Sequence, residues 1–313
     1  MDYLIFVISL AALIWGADLL IAQSERIALK FHISEYVIGA TLIALGTSLP
    51  EMAASIAASY NGKPEIAVSN VIGSNILNIT LVLASVFLLA RHINPHRDFF
   101  ARDSSWALFP VLIFVVMSLE DSFTRTDGIL LLFLMLAYLL FLRNSGADVL
   151  ALEGDEIEES EETPFSWMRV ILLLFVGFIL VIVGAEFTVE SASSIARDLG
   201  VSEWVIGIIM ISLGTSMPEL IVSIVASLKG KADMAIGNII GSNMANITVV
   251  LGSAAIVNDL KLDMGKYLFD IGTMVAATLM LVFITANRMY SRPAGISLLV
   301  LLGVFLRHTL SSL

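Results

Sequence analysis

Two segments of the chain carry the same unusual set of side chains within long apolar runs. The first reads GTSLPE over residues 46–51, and the second reads GTSMPE over residues 214–219. A proline inside such a run breaks the helix and frees backbone carbonyl oxygens. Glu51 and Glu219 would be unpaired carboxylates deep in an apolar environment, which is costly, so a bound cation or proton is expected at each.

A simpler interpretation of both segments is a capped helix N-terminus. Ser48 with Glu51, and Ser216 with Glu219, match the S-x-x-E capping box, in which the two side chains bond to backbone N–H groups of the first turn. Both glutamates, however, sit near the middle of long apolar runs, where a carboxylate is rarely retained for capping alone. Their position therefore favours a functional site.

A second polar cluster follows each segment in the next apolar run. Ser74 and Asn78 have the i, i+4 spacing that places both on one helix face, and Ser242 and Asn246 repeat that spacing. Neighbouring glycines allow helices to approach closely. Four further amides are predicted to hold helix to helix: Asn70, Asn75, Asn238 and Asn243.

The candidate ligands are all oxygen atoms. Carboxylates, hydroxyls, amide oxygens and released carbonyls suit hard cations such as Ca2+ and Na+, whereas Zn2+ and Cu2+ call for His or Cys. The chain has no cysteine, and its four histidines fall in loops or at span ends, at His32, His92, His96 and His308. One Ca2+ or two Na+ would cancel the charge of two carboxylates, and competition for that charge is the physical basis of ion exchange.

The elements that position these residues are predicted to be membrane-spanning helices. Hydrophobic residues make up 58% of the 313 residues and charged residues 14%, a balance that excludes ordinary soluble domains. A span needs roughly 20 largely apolar residues. Ten such runs are present, at residues 2–23, 36–60, 65–90, 104–120, 126–143, 167–190, 203–228, 233–257, 267–287 and 292–310.

The two halves of the chain repeat each other. Residues 33–80 recur at 201–248 with a constant offset of 168, and 27 of 48 positions are identical. Each half, 1–143 and 167–313, holds five spans, so the two copies would cross the membrane in opposite directions. Inverted repeats with a substrate site between them are a transporter architecture. The predicted fold is an all-α polytopic membrane protein of ten transmembrane helices in two inverted five-helix repeats, with broken helices at the ion site.

The distribution of charge predicts the orientation. With the N-terminus outside, 11 of the Lys and Arg residues lie in cytoplasmic loops and 6 in outer loops, so both termini are predicted outside. Residues 144–166 then form an acidic cytoplasmic linker, with seven carboxylates between Glu153 and Glu162 that supply much of the net charge of −11. A solvated connection is its simpler role. Cation sensing is the alternative, although the spacing of an EF-hand loop is absent.

Two repeat-related acids, Asp18 and Glu186, lie near the ends of their spans. We interpret both as interfacial anchors or as partners for a loop arginine rather than as ion ligands.

The paired GTSxPE and NxIGSN segments resemble the alpha-1 and alpha-2 repeats of the sodium/calcium exchanger family, within the cation/calcium exchanger superfamily. The chain looks like a compact prokaryotic member. The resemblance implies backbone ligands at Ala44 and Ser212, and side-chain ligands at Thr47, Ser48, Glu51, Ser74, Asn78, Thr215, Ser216, Glu219, Ser242 and Asn246. It further implies a central Ca2+ site flanked by sodium sites, exchange of three Na+ for one Ca2+, and alternating access by sliding of the first helix of each half.

Asn246 stands where some relatives carry Asp, which leaves two central carboxylates and indicates the potassium-independent branch. Calcium/proton exchangers typically carry a Glu in the second cluster, which is absent here, so exchange of Ca2+ or another cation for protons is the alternative function. A cation channel or a non-transporting sensor could use the same site. An enzyme is disfavoured, because no nucleophile elbow, zinc motif or phosphate loop is present.

The expected partners are the lipid bilayer, at the cytoplasmic (inner) membrane, and the transported Na+ and Ca2+ ions. The sequence suggests no organic cofactor and no obligate protein partner, and the acidic composition argues against binding to nucleic acid.

Overall fold

Helices form almost all of the structure, a computed structural model that describes residues 1–90, 95, 97–153, 165–201, 214–261 and 263–311. In chain order its α-helices are α1 (Asp2–Phe31), α2 (Glu35–Ile38), α3 (Ala44–Thr47), α4 (Leu49–Tyr60), α5 (Pro64–Leu77), α6 (Ala84–Leu89), α7 (Phe99–Ser118), α8 (Arg125–Glu153), α9 (Trp167–Asp198), α10 (Met217–Leu228), α11 (Ala232–Ala245), α12 (Leu251–Val257), α13 (Leu268–Ala286) and α14 (Arg292–Ser311).

Other elements connect some of these helices. Three wider, π-helical turns cover Gly39–Ile43, Asn78–Leu83 and Asn246–Val250, and a 3-10 turn covers Met264–Tyr267. Two short strands, β1 (Ser122–Phe123) and β2 (Leu260–Lys261), pair in the antiparallel direction.

Eight helical segments of the described residues are long and apolar enough to cross a membrane. A ninth results if the bent pair Glu35–Thr47 and Leu49–Tyr60 counts as one span. These segments confirm the expected all-helical membrane architecture. The expected span 203–228 falls partly outside the described residues, which include only its apolar helix Met217–Leu228.

The long helices extend beyond the apolar runs that predicted them. Helix α1 continues past residue 23 to Phe31 and ends where His32 adopts a left-handed conformation with φ 53°. Helix α7 begins at Phe99 rather than at 104, because the Asp98 carboxylate accepts a hydrogen bond of 3.0 Å from the Ala101 N–H. Hydropathy marks the lipid-facing part of a helix, whereas caps decide where the helix begins and ends.

Two long spans, each with a π-helical turn, form the centre of the molecule. Within the most apolar stretch of Pro64–Leu89 and of Ala232–Val257, 78% of the residues are buried, compared with 33% for α1 and for α9. The central spans also contain the π-helical turns at Asn78 and Asn246. Their irregular backbone therefore lies inside protein, as it must in a membrane, where lipid offers no hydrogen bonds.

The predicted helix break at the first GTSxPE segment is confirmed. Helices α3 and α4 meet at Ser48, and the span that they share bends by 44° there. Pro50 lies in the first turn of α4, where its missing N–H removes no intrahelical hydrogen bond.

Glycines of α11 allow α2 and the π-helical turn before α3 to pack directly against that helix. A Cβ atom at Gly237 would lie 2.6 Å from the Tyr36 carbonyl oxygen, and one at Gly241 would lie 2.5 Å from the Ala40 carbonyl oxygen. Only glycine permits this backbone-to-backbone approach. It brings the helix that leads to the first GTSxPE segment against the polar cluster of the second repeat.

The loops contact each other in two groups, one at each end of the helices. In one group, Lys231 pairs with Glu25 and Glu35, and the Arg97 N–H donates to Asp233 over 3.4 Å. In the other, β1 pairs with β2, and the Met264 N–H donates to Asp121 over 3.0 Å. The charge count assigns the loops of each group to one side of the membrane. Which side is cytoplasmic stays a prediction.

Arg97, which the sequence placed in a loop, is buried. Its guanidinium forms two hydrogen bonds to the Asp103 carboxylate, at 2.6 and 2.9 Å, and stacks over the Tyr36 ring. Tyr36 in turn contacts the Tyr138 hydroxyl over 3.2 Å. This buried charge pair anchors the loop before α7 to the start of the bent span Glu35–Tyr60.

We predict that Gly237→Ala lowers the free energy of unfolding by about 1–3 kcal/mol, because the added methyl group would force α11 away from Tyr36. Thermal unfolding of the detergent-solubilised protein measures the change. Gly303→Ala is the control, because Gly303 lies on an exposed helix face and no described atom comes within 4 Å of its Cβ position. Equal stability of the two variants would contradict the close packing at Gly237.

Candidate ion-binding site

The candidate ligands of both repeats lie buried around the helix breaks and the π-helical turns. The exposed fraction is 1% for Glu51 and 0% for Glu219, and it is below 5% for Ala44, Thr47, Ser48, Ser74, Asn78, Ser216, Ser242 and Asn246. Thr215 is partly exposed. Ser212 lies outside the described residues, so its predicted role as a backbone ligand has no structural counterpart here.

Direct contacts bring the ligands of the two repeats together. The Ser48 hydroxyl donates a hydrogen bond of 3.1 Å to the Glu219 carboxylate. Thr47 and Ser242 lie beside the same carboxylate, and Thr215 lies beside that of Glu51. The two carboxylates are close enough to repel each other. The two GTSxPE segments therefore form a single site, although 171 residues separate Ser48 from Glu219.

The capping interpretation fails at the serines. Ser48 and Ser216 do stand at the N-cap positions of α4 and α10, but neither side chain caps its helix. Ser48 bonds to Glu219 instead, and the Ser216 hydroxyl has no hydrogen-bond partner. A cap would use the serine oxygen as an acceptor of a backbone N–H, whereas Ser48 is oriented to donate its hydroxyl to a carboxylate, which forms a stronger, charge-assisted hydrogen bond.

Many oxygen atoms of the site have no hydrogen-bond partner. They are Oε2 of Glu51 and of Glu219, Oδ1 of Asn78 and of Asn246, and Oγ of Ser216 and of Ser242. Buried polar atoms are almost always satisfied in proteins, and exceptions point to an ion or a water molecule at the site. Carboxylate, amide and hydroxyl oxygens without nitrogen or sulfur ligands fit a hard cation such as Na+ or Ca2+.

Other residue types that bind metals do not contribute. Among the described residues, no group of three or more His, Cys, Asp or Glu side chains could hold a metal ion. The carboxylates that the described site contains are those of Glu51 and Glu219, and its other oxygens are neutral. Two carboxylates balance a small total positive charge.

The π-helical turns at Asn78 and Asn246 were not predicted from the sequence. A π-turn shifts the backbone register by one residue, and such turns occur frequently at functional sites. Thr80 and Thr248 lie inside the two turns, and each donates its hydroxyl to the carbonyl four residues earlier, over 2.7 and 2.6 Å. The repeated Asn-Ile-Thr triplet was the available signal, since Thr side chains that bond to the helix backbone tend to distort it.

Three of the four amides predicted to hold helix to helix do so. Asn243 accepts from Asn78 over 3.0 Å and donates to the Asn75 carbonyl oxygen over 3.5 Å, whereas the Asn75 side chain donates within its own helix. Asn70 donates to the Glu51 carbonyl oxygen over 3.2 Å and to the Ser55 hydroxyl over 2.9 Å. Asn238 donates to Ser223 over 3.0 Å and accepts from Thr47 over 3.4 Å. These bonds fix the helices that carry Glu51 and Glu219. Ser55 and Ser223 were missed in the sequence, although both recur at the repeat offset.

The repeat-related acids outside the site take no part in it. Asp18 forms an ion pair with Lys229, and Glu186 is exposed on α9. The predicted loop partner of Asp18 is thus a lysine rather than an arginine. Sequence spacing could not identify Lys229 as that partner, because α1 and the loop after α10 meet only through the tertiary fold.

The same combination of residues and fold occurs in known proteins. The sodium/calcium exchanger protein family matches residues 1–143 and 169–310. The chain belongs to this family. An uncharacterized membrane protein of Methanocaldococcus jannaschii is 36% identical over 95% of this chain and 94% of that protein. Inner membrane protein YrbG of Escherichia coli is 31% identical over 95% of this chain and 92% of its own length.

Solved structures agree with this membership. A structure of the sodium-calcium exchanger NCX_Mj, soaked with 2.5 mM Na+ and 1 mM Sr2+, matches with a TM-score of 0.81 and 34% identity, over 98% of this chain and 97% of that one. As a member of the exchanger family, the chain is a membrane antiporter of the cation/calcium exchange type. The resemblance stated from the sequence is confirmed.

We predict that Glu51→Gln and Glu219→Gln each raise the free energy of unfolding in cation-free buffer, by about 1–3 kcal/mol, because each removes a buried charge that lacks full hydrogen bonding. Thermal unfolding with a chelator present, at neutral pH, measures this. Glu190→Gln, on an exposed face of α9, should change stability by less than about 0.5 kcal/mol. A loss of stability in both site variants would mean that protein groups already balance the carboxylates.

Proposed function

We propose that the protein exchanges Na+ for Ca2+ across the cytoplasmic membrane by alternating access, with Glu51 and Glu219 as ligands that the two ions share. One observation carries the proposal. The two repeats meet at the Ser48–Glu219 hydrogen bond, and the carboxylate and amide oxygens around that bond lack protein partners. The name of the NCX_Mj structure, a sodium-calcium exchanger soaked with Na+ and Sr2+, supports the choice of ions.

The proposed ligand set is the one that the family resemblance implies. It comprises the backbone carbonyls of Ala44 and Ser212 and the side chains of Thr47, Ser48, Glu51, Ser74, Asn78, Thr215, Ser216, Glu219, Ser242 and Asn246. Two carboxylates bind one Ca2+ or two Na+ without leaving net charge in the apolar interior. A third Na+ would add one positive charge, which neutral oxygens at the edge of the site would have to stabilise. The proposed stoichiometry of three Na+ to one Ca2+ rests on family resemblance.

The proposed architecture has ten spans in two inverted repeats. The first repeat covers residues 1–143, an acidic cytoplasmic linker covers 144–166, and the second repeat covers 167–313. The positive-inside count assigns certain loops to the same side of the membrane, and these loops contact each other in the structure. Their contacts support this arrangement. The likeness to inner membrane protein YrbG supports the inner membrane as the location.

Flux through reconstituted vesicles tests the exchange. An outward Na+ gradient should drive uptake of radiolabelled Ca2+, and Glu51→Gln or Glu219→Gln should lower that uptake at least about tenfold, because each variant removes half of the charge that binds Ca2+. Glu190→Gln is the matched control and should transport normally. Vesicle incorporation, measured by the amount of protein in floated vesicles, should be the same for all variants.

The same vesicles test the alternative, exchange of Ca2+ for protons, which two buried carboxylates could also support. A pH gradient should drive no Ca2+ uptake in the absence of Na+, and a protonophore should leave Na+-driven uptake intact. Uptake that follows the pH gradient and ignores Na+ would reverse the assignment. Ca2+ conductance without countertransport would instead identify a channel.

Single cysteines test the orientation, because the natural chain contains none. A membrane-impermeant maleimide should label Asn61→Cys, in the loop after α4, in spheroplasts. It should label Asp155→Cys, in the linker, only in everted vesicles. The opposite pattern would invert the proposed topology. The cysteine-free parent protein provides the background.

A further inference from the structure

Three hydrogen bonds at the candidate ion site join side chains of the two repeats and share one direction. Thr47 donates to Asn238 over 3.4 Å, Ser48 donates to Glu219 over 3.1 Å, and Asn78 donates to Asn243 over 3.0 Å. In all three, the donor belongs to the first repeat and the acceptor to the second. A site built from matching residues is therefore asymmetric in this structure.

The repeat offset identifies the matching bonds in the other direction. They would be donated by Thr215 to Asn70, by Ser216 to Glu51, and by Asn246 to Asn75. Among the described residues none of the three is formed. For two of these missing bonds, both the donor and the acceptor atom lack a hydrogen-bond partner. These atoms are Ser216 Oγ and Glu51 Oε2 for one bond, and Asn246 Nδ2 and Asn75 Oδ1 for the other.

The amide pair has the clearest chemical consequence. An asparagine side chain presents either an oxygen or an N–H2 group to its surroundings, and only the oxygen binds a cation. Asn78 gives its N–H2 group to Asn243 Oδ1, so its own Oδ1 is turned away from Asn243 and has no protein partner. Asn243 thereby determines which end of the Asn78 amide can bind an ion.

By the repeat offset, Asn75 corresponds to Asn243 and Asn246 corresponds to Asn78, so Asn75 could orient Asn246 as Asn243 orients Asn78. Asn75 and Asn246 are both 1% exposed, and the N–H2 group of Asn246 and the Oδ1 atom of Asn75 are a buried donor and a buried acceptor without partners. Asn75 meanwhile donates its N–H2 group to the Val71 carbonyl oxygen of its own helix, over 2.8 Å, which leaves its Oδ1 available.

We propose that Asn243 and Asn75 are positioning residues for the ion ligands Asn78 and Asn246, and that the two pairs form alternately in the two states of the transport cycle. This inference rests on the proposed exchange function. In the state described here, Asn243 orients Asn78. In the other state of the cycle, the repeats exchange conformations, Asn75 orients Asn246, and the bond between Asn78 and Asn243 breaks.

Space for such a rearrangement lies next to both positioning residues. Asn75 and Asn243 line the same cavity, together with Pro110 of α7 and Thr278 of α13. The cavity lies on the side of α5 and α11 that faces these two helices. Most of its lining is apolar, and the two amides and the Thr278 hydroxyl are its polar groups, so the amides have few alternative partners there besides each other and Thr278.

The alternation also fits the energetics of a carrier. Each state contains one formed amide pair and one broken pair of the same chemical type, so the two contributions cancel when the states are compared. A carrier needs two states of similar free energy, because a strongly favoured state would slow the return step.

Kinetics measured from each side of the membrane test the proposal. Asn243→Leu and Asn75→Leu keep the approximate side-chain shape and remove the hydrogen-bonding groups. In right-side-out and everted vesicles, Asn243→Leu should raise the KM for Ca2+ about fivefold at one face, the effect of losing one hydrogen bond. Asn75→Leu should raise it similarly at the opposite face. Asn287→Leu, an exposed amide bonded only to the backbone of its own helix, should change neither value.

A conservative variant separates positioning from packing. Asn243→Asp retains an acceptor for the Asn78 N–H2 group, so it should recover most of the affinity that Asn243→Leu loses. In addition, Asn243→Leu should have no further effect on KM in an Asn78→Leu background, because there is no amide left to orient. If a Leu variant is not transport-competent, radiolabelled Ca2+ binding to the purified protein should show the same fivefold weakening for Asn243→Leu and its recovery with Asp.

An equal rise in KM at both faces for both Leu variants, or no recovery with Asp, would overturn the inference in an otherwise active exchanger. The wild-type protein measured in parallel separates this result from a failure of the proposed function. If wild-type vesicles show no Na+-driven Ca2+ flux, the exchange itself is wrong, and the alternation of the amides falls with it.

Discussion

Two carboxylates held inside an apolar protein are the constraint on which the rest of this structure depends. Glu51 and Glu219 are almost completely buried and close enough to repel each other. Such a pair is tolerable only where cations can bind and where other oxygens assist. The broken helices, the hydroxyls of the GTSxPE segments and the amides of the central spans all meet this one requirement, since each brings an oxygen to the carboxylates.

Bringing oxygens into the membrane requires irregular backbone, and the fold protects that backbone with other helices. The bend at Ser48 and the π-helical turns at Asn78 and Asn246 interrupt regular helix hydrogen bonding. These interruptions lie in the two central spans and in the bent span beside them, where neighbouring helices rather than lipid provide the contacts. The close approach of α11 to α2 and the turn before α3, through Gly237 and Gly241, completes this enclosure.

Sequence reasoning succeeded where the signal is local or repeated. The membrane spans follow from apolar runs, and the candidate ligands follow from two near-identical segments with mid-span glutamates. The S-x-x-E spacing alone could not distinguish a capping box from a functional site at Ser48, because the acceptor of the Ser48 hydroxyl, Glu219, lies 171 residues away. The continuation of α1 beyond residue 23 and the π-turns were missed for a related reason. Caps and tertiary contacts determine both features, whereas hydropathy reports only exposure to lipid.

A duplicated sequence supplies each repeat with the same donors and acceptors, so it cannot by itself decide which repeat donates. The structure resolves this choice in one direction, with Ser48 bonded to Glu219 while Ser216 and one oxygen of Glu51 are free. The reverse arrangement uses matching residues and should therefore differ little in free energy. Two arrangements of nearly equal stability, separated by a change of hydrogen-bond partners at the ion site, are what a carrier requires, because cations that bind the shared carboxylates can then shift the balance between them.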